Sequence, residues 1–209
     1  MTINLPSKWS DIKIIDFIKI QSIIKDKSFD DEYEDKNLCE FERFLHLVAC
    51  VSGEDISEIK QLDLKSLGKI RSAIDFIFHP EQIEKRVPQY FIHHKKYYRV
   101  IRDVRELNGG EYIDLSTYTK DGNDINLHKV MALFCYPCNW LGQRKPKDNE
   151  KLAEELLDLP ITVCYPIAVF FYQNYNNSLE AIQDYLMKQM EKQITELTAE
   201  VIQSIGDGS

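Results

Sequence analysis

Apolar and polar positions along this chain alternate mostly at helical spacing, with one interruption that reads as strand. From Asp11 to Lys25, the residues Ile12, Ile15, Phe17, Ile18, Ile20, Ile23 and Ile24 fall largely on one helical face. Ser10 or Asp11 is placed to cap that helix and Trp9 to staple its entry. The segment Asp26–Lys36 is dominated by acidic residues and predicts a solvated loop. Asn37 is the expected cap of a second helix with Leu38, Phe41, Phe44, Leu45 and Val48 on one face, stopping near Gly53. Glu54–Leu62 predicts a short helical turn. Asp63 then caps a clearer helix with the stripe Leu64, Leu67, Ile70, Ile74 and Phe78, which Pro80 ends.

Between Gln89 and Val104 the character changes. Tyr90-Phe91-Ile92 and Tyr97-Tyr98-Arg99-Val100-Ile101 are aromatic and β-branched, as strands are, with His93 to Lys96 as the turn. That turn lacks the Asn-Gly or Asp-Gly signal of a tight hairpin. A lone two-stranded hairpin is marginal in water, so this one has to lean on helices or pair with something else. Gly109-Gly110 then breaks the chain, ahead of a short helix at Glu111–Tyr118 carrying Tyr112 and Leu115. Lys120-Asp121-Gly122-Asn123 predicts a turn, and Asn126 caps an apolar helix, Leu127–Tyr136, ended by Pro137.

After the exposed linker GQRKPKDNE, a helix is expected from about Lys147 to Asp158. Pro160 opens Ile161–Tyr175, apolar nearly all round through Val163, Tyr165, Ile167, Val169, Phe170 and Phe171. Such a helix is buried on most sides, and Pro166 is expected to kink or break it. Ser178 caps a last helix reaching about Ile205, with the stripe Leu179, Ile182, Leu186, Met190, Ile194, Leu197, Val201 and Ile205. At ~1.5 Å per residue it extends roughly 40 Å, more than a domain of this size needs, so its far half is expected to meet a neighbouring subunit. The fold class is therefore mainly α. Residues 1–176 form a helical domain with a β-hairpin at about 89–104, and residues 177–209 a long C-terminal helix.

Composition changes this picture little. The chain has 209 residues, 44% hydrophobic and 29% charged, an ordinary globular balance. Its net charge of −8 argues against bulk affinity for nucleic acid, while leaving room for a local basic patch. No run approaches 18 apolar residues, so no membrane span is expected. MTINLPSKW lacks the basic and apolar regions of a secretory signal, and five cysteines, an odd number, fit a reducing interior with free thiols.

Candidate chemistry is sparse. Cys135-Tyr136-Pro137-Cys138 has the spacing of thiol–disulfide oxidoreductases, yet it follows a helix and so meets the wrong end of the dipole for activating a thiol. A zinc site from His128, Cys135, Cys138 and Cys164 lacks the second close ligand pair that makes such spacings specific; buried free cysteines are the favoured reading. His93-His94-Lys95-Lys96, with Arg99, Arg102 and Arg105, interleaves cations with Tyr90, Phe91, Tyr97 and Tyr98. Such a mixture can stack bases, but docking onto the acidic 26–35 segment of a neighbouring copy fits at least as well. Glu111 and Asp114 read as surface or capping groups and His128 as a structural histidine. Hydrolase elbows, phosphate-cradling glycine loops and paired catalytic carboxylates are missing from the sequence, so no enzyme activity and no cofactor are expected, and a zinc- or thiol-dependent enzyme built on Cys135 and Cys138 is the alternative of least weight.

One run of features has a further likeness. Leu5-Pro6 and Trp9 precede a helix, a helical pair ends near Pro80, and the strand Tyr97-Tyr98-Arg99-Val100 follows. Gly110-Glu111-Tyr112-Ile113-Asp114-Leu115 comes next, and Asn126-Leu127-His128-Lys129 opens the helix ending at Tyr136-Pro137. Over about residues 5–175 this order resembles small helical proteins encoded among the virion and assembly genes of tailed bacteriophages, particularly crAss-like and related phages of gut Bacteroidota. The resemblance implies a virion protein assembled in the host cytoplasm, either a ring or adaptor protomer of the head–tail connector or another internal virion protein, or else a tail assembly chaperone. It carries no catalytic residues. Implied partners are portal, tail or neighbouring ring subunits, with homo-oligomerisation expected, DNA contact not favoured and no membrane. The residues expected at interfaces are Tyr90, Ile92, Lys95, Lys96, Tyr98 and Arg99 on the hairpin, and Leu186, Met190, Leu197 and Val201 on the last helix.

Overall fold

The computed structural model describes residues 3–32, 35–119 and 126–172. Two compact units are distinguished, Met1–Phe170 and Phe171–Ser209, and every numbered helix and strand belongs to the first. The chain is mainly helical with a small antiparallel sheet. The expected turn at 120–123 and the expected helix at 178–205, with Leu186, Met190, Leu197 and Val201, lie outside the described residues.

Helix α1, Ile14–Lys25, starts later than its stripe suggests, after a 3₁₀ turn at Trp9–Asp11. A helix leaves its first N–H groups without partners. Here Ile14 N donates to Leu159 O and Ile15 N to Leu157 O, both at 2.9 Å, while Ile161 N donates to Ile12 O at 2.8 Å. The cap is thus a pairing across the fold, and Ser10 and Asp11 are not needed for it. Asp11 instead accepts from the backbone and hydroxyl of Ser7 at 3.0 and 2.9 Å. Trp9 is buried against Phe76 and Phe17, with ring centroids 5.4 and 6.0 Å away.

The acidic run is not all loop. Ser28–Glu32 form a short helix, α2, which turns Phe29 inward against His46, while the Arg43 guanidinium lies 5.5 Å from its ring centre. Burying one phenylalanine is worth about 1.5–3 kcal/mol, enough to order a turn that composition alone marks as solvated. Asp26, Asp30, Asp31 and Asp35 stay exposed. Helix α3, Lys36–Ser52, is capped by Asp35 rather than Asn37, the Asp35 carboxylate accepting from Asn37 N at 2.8 Å, and it ends on left-handed Gly53. Its buried side is Cys39, Phe44, Leu45, Leu47 and Val48, which leaves Leu38 outside. A short α4, Ile56–Ile59, precedes α5, Leu64–Ala73, which Asp63 caps as expected. Leu67 and Ile70 are buried, but Leu64, in the first turn, is 77% exposed.

Strands β1, Tyr90–His93, and β2, Lys96–Val100, form the expected hairpin. A third strand, β3, Cys135–Cys138, pairs antiparallel with β2 and was not anticipated. It supplies the support that an isolated hairpin lacks. Helix α6, Gly109–Thr119, includes the glycine pair as its first turn instead of being preceded by it. Asn108 and Glu111 satisfy its entry reciprocally: Glu111 N donates to Asn108 Oδ1 at 3.0 Å, and Asn108 N to Glu111 Oε2 at 3.1 Å.

Helix α7 is Leu127–Phe134; the side chain of Asn126 makes no capping bond, and the helix stops at Phe134 because Cys135 is already extended and paired with Val100. Helix α8, Asn149–Leu156, is capped by Asp148 and packs on α7. Residues 161–172 are helical through Pro166. Ile161, Cys164, Ile167 and Ala168 mark the buried side, whereas Val163, Tyr165 and Val169 are only half-buried. No described helix is long and apolar enough to cross a membrane.

Candidate functional site

The register of the sheet sorts its side chains into two faces, because successive residues of a strand point opposite ways. Phe91, Tyr98 and Val100 face the core with Cys135. The Phe91 and Tyr98 rings stack with centroids 5.1 Å apart. Tyr90, Ile92, Tyr97, Arg99 and Tyr136 share the opposite face. On it, Tyr90 and Tyr97 are exposed and Ile92 is 62% exposed. Tyr98 is fully buried, so of the expected interface residues it alone on the hairpin offers no side chain to a partner. Burial and then the Glu155 carboxylate push its hydroxyl pKa up.

The loop after β3 extends the outward face. Asn139 Oδ1 accepts from Leu141 N at 3.0 Å and Gln143 N at 2.9 Å, and Gly142 takes φ 77°, closing a tight turn. A Cβ on Gly142 would stand 3.3 Å from the Tyr90 hydroxyl, so the loop runs directly against β1's tyrosine. At the tip, Trp140 is 81% exposed and Leu141 is exposed too. Lys145 N donates back to Pro137 O at 2.8 Å, and Arg144 pairs with Glu106 over the Tyr136 ring. A groove of about 610 Å³ beside this face is bounded by Lys95, Lys96, Lys145 and Lys151 together with Tyr97 and Trp140, and its lining also holds Asp148 and Glu155, the latter paired with Lys96. The expected basic hairpin is thus one wall of a lysine-rimmed aromatic surface. Trp140, Leu141 and Lys145 carry only one local signal in the sequence, a bulky apolar pair directly before a glycine.

What fixes the loop is a buried ion pair. Lys147 was expected in an exposed linker; its side chain is 6% exposed, and its ammonium donates to Ala132 O and Leu133 O at 2.7 Å each. These carbonyls end α7, where a cation meets the negative pole of the helix. The same ammonium is 3.3 Å from Glu111 Oε1 and 3.6 Å from the Tyr136 ring centre. Burial pulls the Lys147 pKa down to about 8, against the opposing charge of Glu111. Glu111, expected at the surface, is buried; burial raises its pKa, but hydrogen bonds from Asn108 and Tyr136 and the charge of Lys147 outweigh that and hold it below the usual range.

The hairpin tip is anchored separately. His94 and Lys95 occupy a two-residue turn with φ 46° and 62°, both left-handed, a geometry that ordinary side chains adopt at a cost of roughly 1–2 kcal/mol each. His93 Nε2 lies 2.7 Å from Asp158 Oδ1 and 3.1 Å from Glu155 O, while His94 Nε2 lies 2.9 Å from Asp158 Oδ2. Lys96 pairs with the Glu155 carboxylate. Partial burial raises the Asp158 pKa, but the bonds from His94 and His93 and their charge prevail, and it titrates below the ordinary carboxylate range.

The strand holds the two cysteines of the Cys135-Tyr136-Pro137-Cys138 motif apart. Residues three apart on a strand point to opposite faces, separated by about 10 Å along it at ~3.3 Å per residue, so Cys135 and Cys138 do not face each other. Both are buried, and burial pushes the Cys135 thiol up to about 12. His128, Cys135, Cys138 and Cys164 do not converge. Among the described residues, His93, His94 and Asp158 are the group of three whose ligand atoms all come within 4.8 Å. No protein-family model, no curated protein and no solved structure matches this chain.

Proposed function

We propose that this chain is a non-catalytic assembly subunit that binds copies of itself head to tail, as a ring or adaptor protomer at the portal–tail junction of a tailed phage. The observation that carries the self-association is the outward sheet face. Tyr90, Ile92 and Tyr97, continued by Trp140 and Leu141, present a contiguous apolar surface rimmed by lysines. Exposed apolar patches of that kind mark interaction sites.

Its complement is on the same unit. Between α3 and α5 lies a groove of about 360 Å³ walled by Phe41, Phe44, Leu64 and Leu67, with Glu40 and Arg71 also bounding it. Asp26 just after α1, Asp30 and Asp31 on α2, and Asp35 at the cap of α3, the helix that supplies Phe41 and Phe44, are all exposed, with Asp30 paired to Arg43. Two lysine-rimmed faces repel each other, whereas a lysine-rimmed face and an acid-flanked groove attract. The contact is therefore heterologous, and heterologous contacts close into rings when the rotation between neighbours divides a full turn. The resemblance to phage assembly proteins supplies the setting.

Quantitative mass spectrometry of purified phage particles encoding this chain tests the setting. Recovery at a fixed multiple of the portal subunit is the expected result. Absence from particles, with co-purification of unassembled tail protein from infected cells, overturns the ring protomer in favour of a chaperone.

A further inference from the structure

We propose that the β1–β2 turn and the residues following α8 form a binding site for a zinc-class divalent cation, held by His93 Nε2, His94 Nε2 and the Asp158 carboxylate. Two imidazoles and one carboxylate, with a side open to solvent, are the donor set that zinc takes when one position is left for water. The three ligand atoms already converge within 4.8 Å. In a tetrahedral site with metal–ligand bonds near 2.0–2.1 Å, neighbouring ligand atoms stand about 3.3 Å apart. The Nε2–carboxylate spacings here are 2.7 and 2.9 Å, each about half an ångström short of that separation.

Neighbouring charges permit this. Lys96 is neutralised by Glu155, and Lys95 is exposed to solvent. The Glu155 carbonyl, 3.1 Å from His93 Nε2, adds an oxygen dipole pointing into the site. The left-handed backbone of His94 has a consequence here, because it turns the second imidazole back toward the carboxylate that its neighbour already holds. Without metal, the two Nε2 groups donate to Asp158; a bound cation replaces those protons, which pass to Nδ1 or to solvent, so affinity falls as pH falls.

Titration of the full chain with Zn²⁺ and with Co²⁺ under reducing conditions tests the proposal, with Mg²⁺ as the control cation. Expected are one Zn²⁺ per chain, no response to Mg²⁺, and cobalt ligand-field bands without thiolate-to-cobalt charge transfer. His94→Gly relieves the left-handed strain while removing a ligand, so it folds and binds more than about tenfold more weakly, since even outer partners of metal ligands matter on that scale. Lys95→Gly relieves strain equally, keeps all three ligands and binds like the wild type. Asp158→Asn binds weakly as His94→Gly does. Absence of Zn²⁺ binding, equal binding by His94→Gly, or thiolate bands in the cobalt spectrum each overturns the site.

Discussion

Replacing Lys147 with methionine tests how the loop bearing Trp140 is held. The ammonium meets two α7 carbonyls at 2.7 Å, Glu111 at 3.3 Å and the Tyr136 ring. Removing one member of a buried pair costs ~3–5 kcal/mol, because the other charge is left uncompensated. Methionine keeps the aliphatic packing and Tyr136 still donates to Glu111 at 2.8 Å, so the loss is expected near the low end, about 3 kcal/mol. Glu111→Gln keeps one acceptor oxygen where Asn108 N and Tyr136 use two, and it leaves the buried Lys147 ammonium without its counter-ion, so it too costs ~3–5 kcal/mol. In the double variant neither charge is stranded, so it is less destabilised than the sum by at least about 1 kcal/mol. Urea denaturation at pH 7 measures all three. Additivity within ~0.5 kcal/mol refutes the coupling. The pH dependence supplies a second check with a definite sign. Lys147 has its pKa lowered from 10.5 to about 8, so between those values the unfolded chain holds more protons on this lysine than the folded one. Stability from this group therefore rises with pH, by at most ~1.4 kcal/mol per pH unit. The margin of wild type over Lys147→Met widens from pH 8 to 10; a narrowing margin contradicts the burial of that amine.

Three further outcomes rest on particular residues. Gly142→Ala places a Cβ at φ 77° and 3.3 Å from the Tyr90 hydroxyl, and is expected to lower stability by roughly 1–2 kcal/mol in a thermal or urea melt. Lys95→Gly, at φ 62°, is expected to raise stability by about 1 kcal/mol, and a loss would contradict the two-residue left-handed turn. With a thiol-reactive disulfide reagent, half-buried Cys50 reacts first while buried Cys39, Cys135, Cys138 and Cys164 wait for denaturant; rapid reaction of Cys135 would contradict its position in the core.

Features of this fold that depend on neighbours in sequence were readable from it. Asp63 caps α5 because its carboxylate sits three residues from the Ser66 amide it serves, and the aromatic, β-branched runs around His93–Lys96 pair with one another. Features that depend on distant partners were not. Cys135-Tyr136-Pro137-Cys138 looks like the tail of a helix until β2 offers it an edge, which it can accept despite Pro137 because that residue's backbone turns away from β2, its carbonyl accepting from Lys145 N. Lys147 looks like one more lysine in a charged linker; only the meeting of α6, α7 and Tyr136 buries it. Phe29 and Asp158 belong to the same class, one drawn inward by Arg43 and His46, the other completed by two histidines from a strand end and its turn.

The most direct measurement of head-to-tail assembly is sedimentation velocity of the purified chain over a range of concentration and salt, beside the double variant Ile92→Asp with Trp140→Asp. Both side chains are exposed, so the variant keeps its fold, and each loses about 1.5–3 kcal/mol of burial at the contact, together more than a hundredfold in affinity. Wild type is expected to sediment as oligomers that loosen as salt screens the lysine and aspartate patches, with the variant monomeric at the same concentrations. A wild type that stays monomeric throughout, or a variant that assembles alongside it, contradicts the outward sheet face as the interface.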